Sequence, residues 1–213
     1  MTGVVDVTGA GAELAEMSAR FYARGWMVGT AGNLSIRPPG AAYLVITGSG
    51  LSKGELQAGD MAAVEVATGC AVLEGGARPS AETAIHAALY RLFADCGAVV
   101  HAHPPYATAV ATLAADAAAV EFTDFEFIKG LGVADPTHVA VPVFPNWPQV
   151  ARIAEDLVDR LASGSPMSVT PAFLIAHHGA TTWGPDLATA RNRMESLEAL
   201  CHLQLIASEG GTR

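Results

Sequence analysis

The sequence predicts a single α/β domain: a three-layer αβα sandwich around a central mixed, largely antiparallel sheet. Two observations carry this expectation. Short apolar runs of strand length are interspersed with segments of helical periodicity along the whole chain. Several of the strand pairs are joined by connections too short to hold a crossover helix, so those pairs must run antiparallel. At 213 residues, one domain spanning residues 1–213 has ample material for a buried core.

The elements follow in order. Residues 12–24 place Leu14, Met17 and Phe21 at helical spacing, with Gly25 as the stop. Residues 34–37 alternate like a strand, Pro38, Pro39 and Gly40 turn the chain, and residues 43–47 read as a buried strand. Residues 61–66 and 70–73 suggest a hairpin turned through Thr68 and Gly69. A helix starts at Pro79-Ser80-Ala81-Glu82, with Ile85, Leu89, Leu92 and Phe93 as its inner stripe. Residues 98–102 form a strand, and Pro104-Pro105 opens the next helix. Residues 139–144 form another strand. Asn146 then caps a helix whose Val150, Ile153, Leu157 and Leu161 face inward and which ends at Gly164. Strands at 173–176 and 180–183 flank His177-His178-Gly179. A last helix from Asp186 carries Leu187, Ala190, Met194, Leu197 and Cys201 on one face.

Composition excludes several classes of function. Charged residues make up only 15% of the chain and apolar ones 51%, which argues against long disordered tails. Apolar stretches are interrupted well before the roughly 20 residues that span a bilayer, so no membrane partner is expected. The first sixteen residues carry no Lys or Arg, unlike a secretory or transit segment, and a cytoplasmic location is expected. A net charge of −9 repels polyanions, so nucleic acid is not an expected partner. Cys70, Cys96 and Cys201 are odd in number and far apart, which argues against a disulfide framework.

Chemistry enters at His101-Ala102-His103. Side chains two apart on a strand point to one face, so both imidazoles can reach one ion. A third protein ligand is needed, and His178 in the turn between two strands is the best candidate, with His177 its close competitor. Three imidazoles without a thiolate suit Zn2+, with iron, manganese or cobalt as other divalent choices. His86, His138 and His202 take structural readings, since none has a partner at ligand spacing.

A base must lie close to such an ion for proton abstraction beside a carbonyl. Two glutamates compete. Glu82 lies in the first turn of its helix, where it also favours the helix dipole. Glu126 lies in an apolar segment between Phe125 and Phe127, where burial would raise its pKa toward neutrality. The alternative for Glu126 is a solvent-facing place on an alternating strand. Gly29-Thr30-Ala31-Gly32-Asn33 and Ser49-Gly50-Leu51-Ser52-Lys53 are loops rich in amides, hydroxyls and one cation, the chemistry of a phosphate cradle.

Taken together and in this order, the motifs resemble the class II aldolase/adducin-like family. The pieces are residues 29–35, Ile46-Thr47-Gly48-Ser49-Gly50, Pro79-Ser80-Ala81-Glu82, His101-Ala102-His103 and His178-Gly179. Within it, residues 126–130, residues 141–146 and Thr182-Trp183-Gly184 look most like the methylthioribulose-1-phosphate dehydratase branch of methionine salvage. The resemblance implies zinc on His101, His103 and His178, and a sugar phosphate held near Asn33, Ser49, Gly50, Lys53 and Ser80. It implies Glu126 as the dehydratase's catalytic residue, or Glu82 if the chemistry is that of a sugar-phosphate aldolase. It also implies a homo-oligomer, typically a tetramer. His103-Pro104-Pro105-Tyr106-Ala107-Thr108 departs toward the aldolase branch. A non-catalytic adducin-like module is the third reading, and the histidines speak against it.

Overall fold

A computed structural model describes residues 7–72, 75–162 and 170–210. Among these residues eight strands make one mixed sheet: β1 (Asn33–Ile36), β2 (Tyr43–Thr47), β3 (Met61–Glu65), β4 (Ala98–Ala102), β5 (Ala119–Thr123), β6 (His138–Phe144), β7 (Ala172–Ile175) and β8 (Gly179–Gly184). Their spatial order is β3-β2-β1-β4-β8-β7-β6-β5. Every neighbouring pair is antiparallel except β6 with β7. The predicted three-layer, largely antiparallel architecture is the one observed.

Among the described residues the α-helices are α1 (Thr8–Ala23), α2 (Thr83–Leu92), α3 (Pro105–Leu113), α4 (Val150–Ala162) and α5 (Leu187–Gly210). Alternation along each strand builds two separate cores. Leu34, Val100, Val141 and Leu174 pack with Leu14 and Phe21 of α1, Val110 of α3, and Met194 and Leu197 of α5. Leu44, Ile46, Val99 and Phe173 pack on the other face with Ile85 and Leu89 of α2 and Ile153 and Leu157 of α4. Each fully buried side chain of this size contributes roughly 1.5–3 kcal/mol of apolar transfer energy. A one-residue register slip would therefore exchange the two cores and is strongly disfavoured.

Several local expectations are corrected. The second helix begins at Thr83, because Pro79 is taken into a bridge with Gly48 and Ser80 forms a side-chain turn, leaving Glu82 at the N-cap. The hairpin after β3 is reduced to one bridge, Val64 with Ala71, and Leu73 lies outside the described residues. The side chain of Leu161 and the whole of Gly164 also lie outside them. Ala119–Thr123 forms an edge strand that the alanine-rich run around it concealed. It is followed by a 3-10 helix over Glu126–Leu131 instead of a continued strand. Cys70, Cys96 and Cys201 are free thiols. No helix among the described residues is long and apolar enough to cross a membrane.

Register decides where the site can be. β4 and β7 run the same way, because each is antiparallel to β8, so both end at the edge of the sheet where β8 begins. Asn33 opens β1 opposite His101, and β2 finishes beside it, so the loop after β2 and the N-terminus of α2 come to that same end. β5 runs against β6, and Thr123 pairs with His138 at the far end.

Candidate metal centre

His101 is the penultimate residue of β4, on the strand face that Val99 presents to α2. Its Nδ1 lies 2.9 Å from Thr181 Oγ1 on β8, which fixes the ring and turns Nε2 outward. His103 follows just beyond the strand, where its backbone N–H donates to Trp26 O at 2.8 Å. His178 lies in the β7–β8 turn. The positive φ of 57° at His177 turns the chain there, leaving His177 exposed and His178 facing inward. His178 is thus the partner of His101 and His103, and His177 is not.

The three rings converge. Their donor atoms all lie within 4.8 Å of one another, and His101 Nε2 is 3.1 Å from His103 Nε2. Two imidazole lone pairs at that separation repel unless a proton or cation lies between them. Ligand nitrogens about 2.0–2.1 Å from a tetrahedral ion stand roughly 3.4 Å apart, so the spacing fits a shared divalent metal. Burial pushes His103 down to about 3, helped by His101 and His178, and lowers His101 as well. Both rings are therefore neutral near pH 7, the form that ligates.

Glu82 closes the group. Its Oε1 lies 3.1 Å from His178 Nε2 and 3.5 Å from His101 Nε2, while Asn33 Nδ2 donates to its Oε2. Burial alone would push this carboxyl up. The His101 ring it faces and the hydrogen bonds from His178 and Asn33 outweigh burial and hold it well below the ordinary carboxylate range. It is the one carboxylate among the described residues that touches the histidines.

Glu126 stands elsewhere. It opens the 3-10 helix after β5, its side chain is 80% exposed, and Lys129 Nζ contacts both of its oxygens at 2.9 Å. Of the apolar residues around it only Ile128 is buried; Phe125 is partly buried, and Glu126 lies in solvent. Next to it Phe127 is half-exposed and borders a groove of about 480 Å³ with Trp26, Tyr106 and His202.

The expected phosphate residues come together only in part. Gly48 and Ser49 spend their backbone N–H groups on Asp60 O and Arg78 O. The Ser49 hydroxyl and the Gly50 amide remain uncommitted among the described residues. Lys53 is turned beneath the loop, its Nζ 3.1 Å from Gly48 O, and burial lowers its pKa while Glu82 opposes the shift. It therefore holds the loop's shape more than it offers charge on the rim. Asn33 Oδ1 is buried without a partner, and Ser80 Oγ accepts the Glu82 N–H at 3.4 Å.

Two expected outcomes arise from this packing. A Cβ at Gly179 would stand 2.7 Å from His103 Cδ2 and closer still to Ala102 O. Gly179→Ala should cost about 1–3 kcal/mol, read as a lower urea midpoint, and should weaken metal retention through His103. The second concerns acid. His86, wholly buried in α2, is pushed down to about 3 by burial, as His103 is, whereas both titrate near 6.5 in an unfolded chain. Between those values the unfolded state binds more protons, so stability rises with pH and is lost on acidification. The urea midpoint of metal-stripped protein should fall from pH 7 to pH 5; a flat profile contradicts neutral burial.

The fold and the histidine group define a class. The family model for the class II aldolase and adducin N-terminal domain matches residues 12–205, and the chain belongs to this family. A Sorangium cellulosum protein named methylthioribulose-1-phosphate dehydratase is 38% identical over 213 residues, covering 99% of this chain and 97% of that one. A Nocardia farcinica protein, named a probable bifunctional methylthioribose-1-phosphate isomerase/methylthioribulose-1-phosphate dehydratase, is 51% identical over 95% of this chain. There the match spans only 37% of the relative's length. Among solved structures, L-fuculose-1-phosphate aldolase from Thermus thermophilus superposes with a TM-score of 0.74 at 26% identity, covering 97% of each chain.

Proposed function

We propose that the chain is a zinc-dependent hydro-lyase of methionine salvage. It converts 5-methylthioribulose 1-phosphate to 2,3-diketo-5-methylthiopentyl 1-phosphate with loss of water. The observation that carries this reading is three imidazoles meeting beside one buried carboxylate, at the sheet end where the anion-competent loops also converge. Relatives that align over nearly their whole length with this chain bear the dehydratase name, which selects the substrate within the family.

Zinc held on His101, His103 and His178 supplies Lewis acidity to a carbonyl oxygen beside it. The remaining work falls to the chain. The Ser49 hydroxyl, the Gly50 amide and the Ser80 hydroxyl bind the phosphate, and Asn33 and Lys53 set the shape of that pocket. Glu82 stays anionic and orders the ligand rings. Glu126 removes the C3 proton onto its carboxylate and returns it to the departing C4 hydroxyl, which leaves as water; the enol then loses its C3 hydroxyl proton to solvent and takes one from solvent at C4 to give the diketone. Since Glu126 is exposed and outside its own chain's histidine group, we place it in the site of a neighbouring copy within a homo-oligomer, a tetramer. A cytoplasmic location and a small phosphorylated sugar as the substrate complete the reading.

One observation favours a second reading: the carboxylate actually touching the histidines is Glu82, the base position of the sugar-phosphate aldolases. Incubating zinc-loaded protein with 5-methylthioribulose 1-phosphate and following products by NMR separates the two. The diketone phosphate supports dehydration. Release of an aldehyde with a three-carbon ketose phosphate supports retro-aldol cleavage instead.

A further inference from the structure

The side of α2 facing β1 carries a polar ladder inside an otherwise apolar layer. Asn33 and Ser35 lie two apart on β1 and share a face, and Glu82 and His86 lie four apart on α2 and share another. Asn33 meets Glu82, and Ser35 Oγ lies 2.7 Å from His86 Nδ1 and 2.8 Å from Tyr90 Oη. All of these groups except Glu82 are almost wholly buried. His86 Nε2 is buried with no hydrogen-bond partner, a condition that costs roughly 1–3 kcal/mol and calls for an explanation.

The direction of the ladder can be worked out. The buried Tyr90 hydroxyl must place its proton, and Ser35 Oγ 2.8 Å away is the acceptor in reach, so the phenol donates to Ser35. Ser35 then has its own proton to give, and His86 Nδ1 receives it. A neutral imidazole that accepts at Nδ1 carries its proton on Nε2. His86 follows the N-cap Glu82 by four positions, so that N–H feels the field of the carboxylate without a direct hydrogen bond, and the field favours a donor over a lone pair. The geometry points to His86 as a positioning residue: locked as the Nε2–H tautomer by Tyr90 and Ser35, it holds the Glu82 carboxylate in place against the three histidines. This role rests on the reading of that group as the reactive centre, not on which sugar phosphate is the substrate.

The tautomer is read directly from long-range nitrogen–proton NMR correlations on zinc-loaded protein without substrate. Nε2–H at His86, lost to a mixture in Ser35→Ala, is the expected result; Nδ1–H overturns the proposal. Kinetics supply the second arm. Glutamine carries its amide nitrogen to the Nε2 position, whereas asparagine reaches only to Nδ1. His86→Asn should therefore lower kcat by about 10–100-fold with KM and zinc content little changed, and His86→Gln should recover most of that loss. Equal losses in two folded variants would make His86 a packing residue and end the proposal. Should both variants fail to fold, the tautomer in native protein and in Ser35→Ala decides. An Nε2–H signal in protein that does not turn over methylthioribulose 1-phosphate would sink the substrate reading and leave this one standing.

Discussion

Replacing His178 by alanine is expected to lower turnover by on the order of 10³-fold or more and to leave the protein without its ion. The size follows from what a Lewis acid supplies, several kcal/mol of charge stabilisation, at about 1.4 kcal/mol per factor of ten. The loss is not confined to activity. His178 Nε2 is one of two imidazole nitrogens against Glu82 Oε1, so its removal leaves His101 and His103 as an incomplete ligand pair. Added zinc should raise the melting temperature of the native protein by mass action and should fail to do so in His178→Ala. Metal analysis of the two preparations gives the stoichiometry. A variant that keeps one zinc per chain and native turnover would remove the proposed centre altogether.

The histidine group was legible because it rests on two local rules. Alternation along β4 and beyond its end sends His101 and His103 to one side, and a turn between two apolar strands brings His178 to the end of the sheet. Neither rule needs knowledge of distant packing. Glu82 was legible as a candidate base at a helix start; its contact with the rings depends on the β1–β4 register and on Asn33, which no short-range pattern gives. His86 was read as structural. The signal that could have promoted it was its four-residue spacing from Glu82, matched by the two-residue spacing of Asn33 and Ser35. Thr181 left no sequence signal, because its orienting role arises from pairing with His101 across two strands distant in the chain. Glu126 had two readings, a buried base or a solvent-facing strand position, and its apolar neighbours could not choose between them. The segment is a 3-10 helix in which Ile128 goes inward while Glu126 and Phe127 stay toward water.

That exposure leads to the sharpest expected result. Glu126→Gln should reduce turnover by about 10²–10⁴-fold, the usual contribution of a general base, while zinc content and folding stay native. No packing is disturbed, since the side chain's contact in its own chain is a surface pairing with Lys129 of little energetic value. Used in a neighbouring copy, the same side chain makes a complementation experiment decisive. A Glu126→Gln chain retains its histidines, and a His101→Ala chain retains its Glu126. Denaturing and refolding an equal mixture of these two inactive proteins should restore about one quarter of native sites, since each site draws its histidines and its glutamate from different, randomly chosen copies of a symmetric ring. A base acting within its own chain gives no recovery at all, because every chain then lacks one half of its machinery. Glu82→Gln in the same assay separates the chemistries: if it is dead while Glu126→Gln remains active, proton removal at C3 is not the committed step, and bond cleavage with Glu82 as base takes its place.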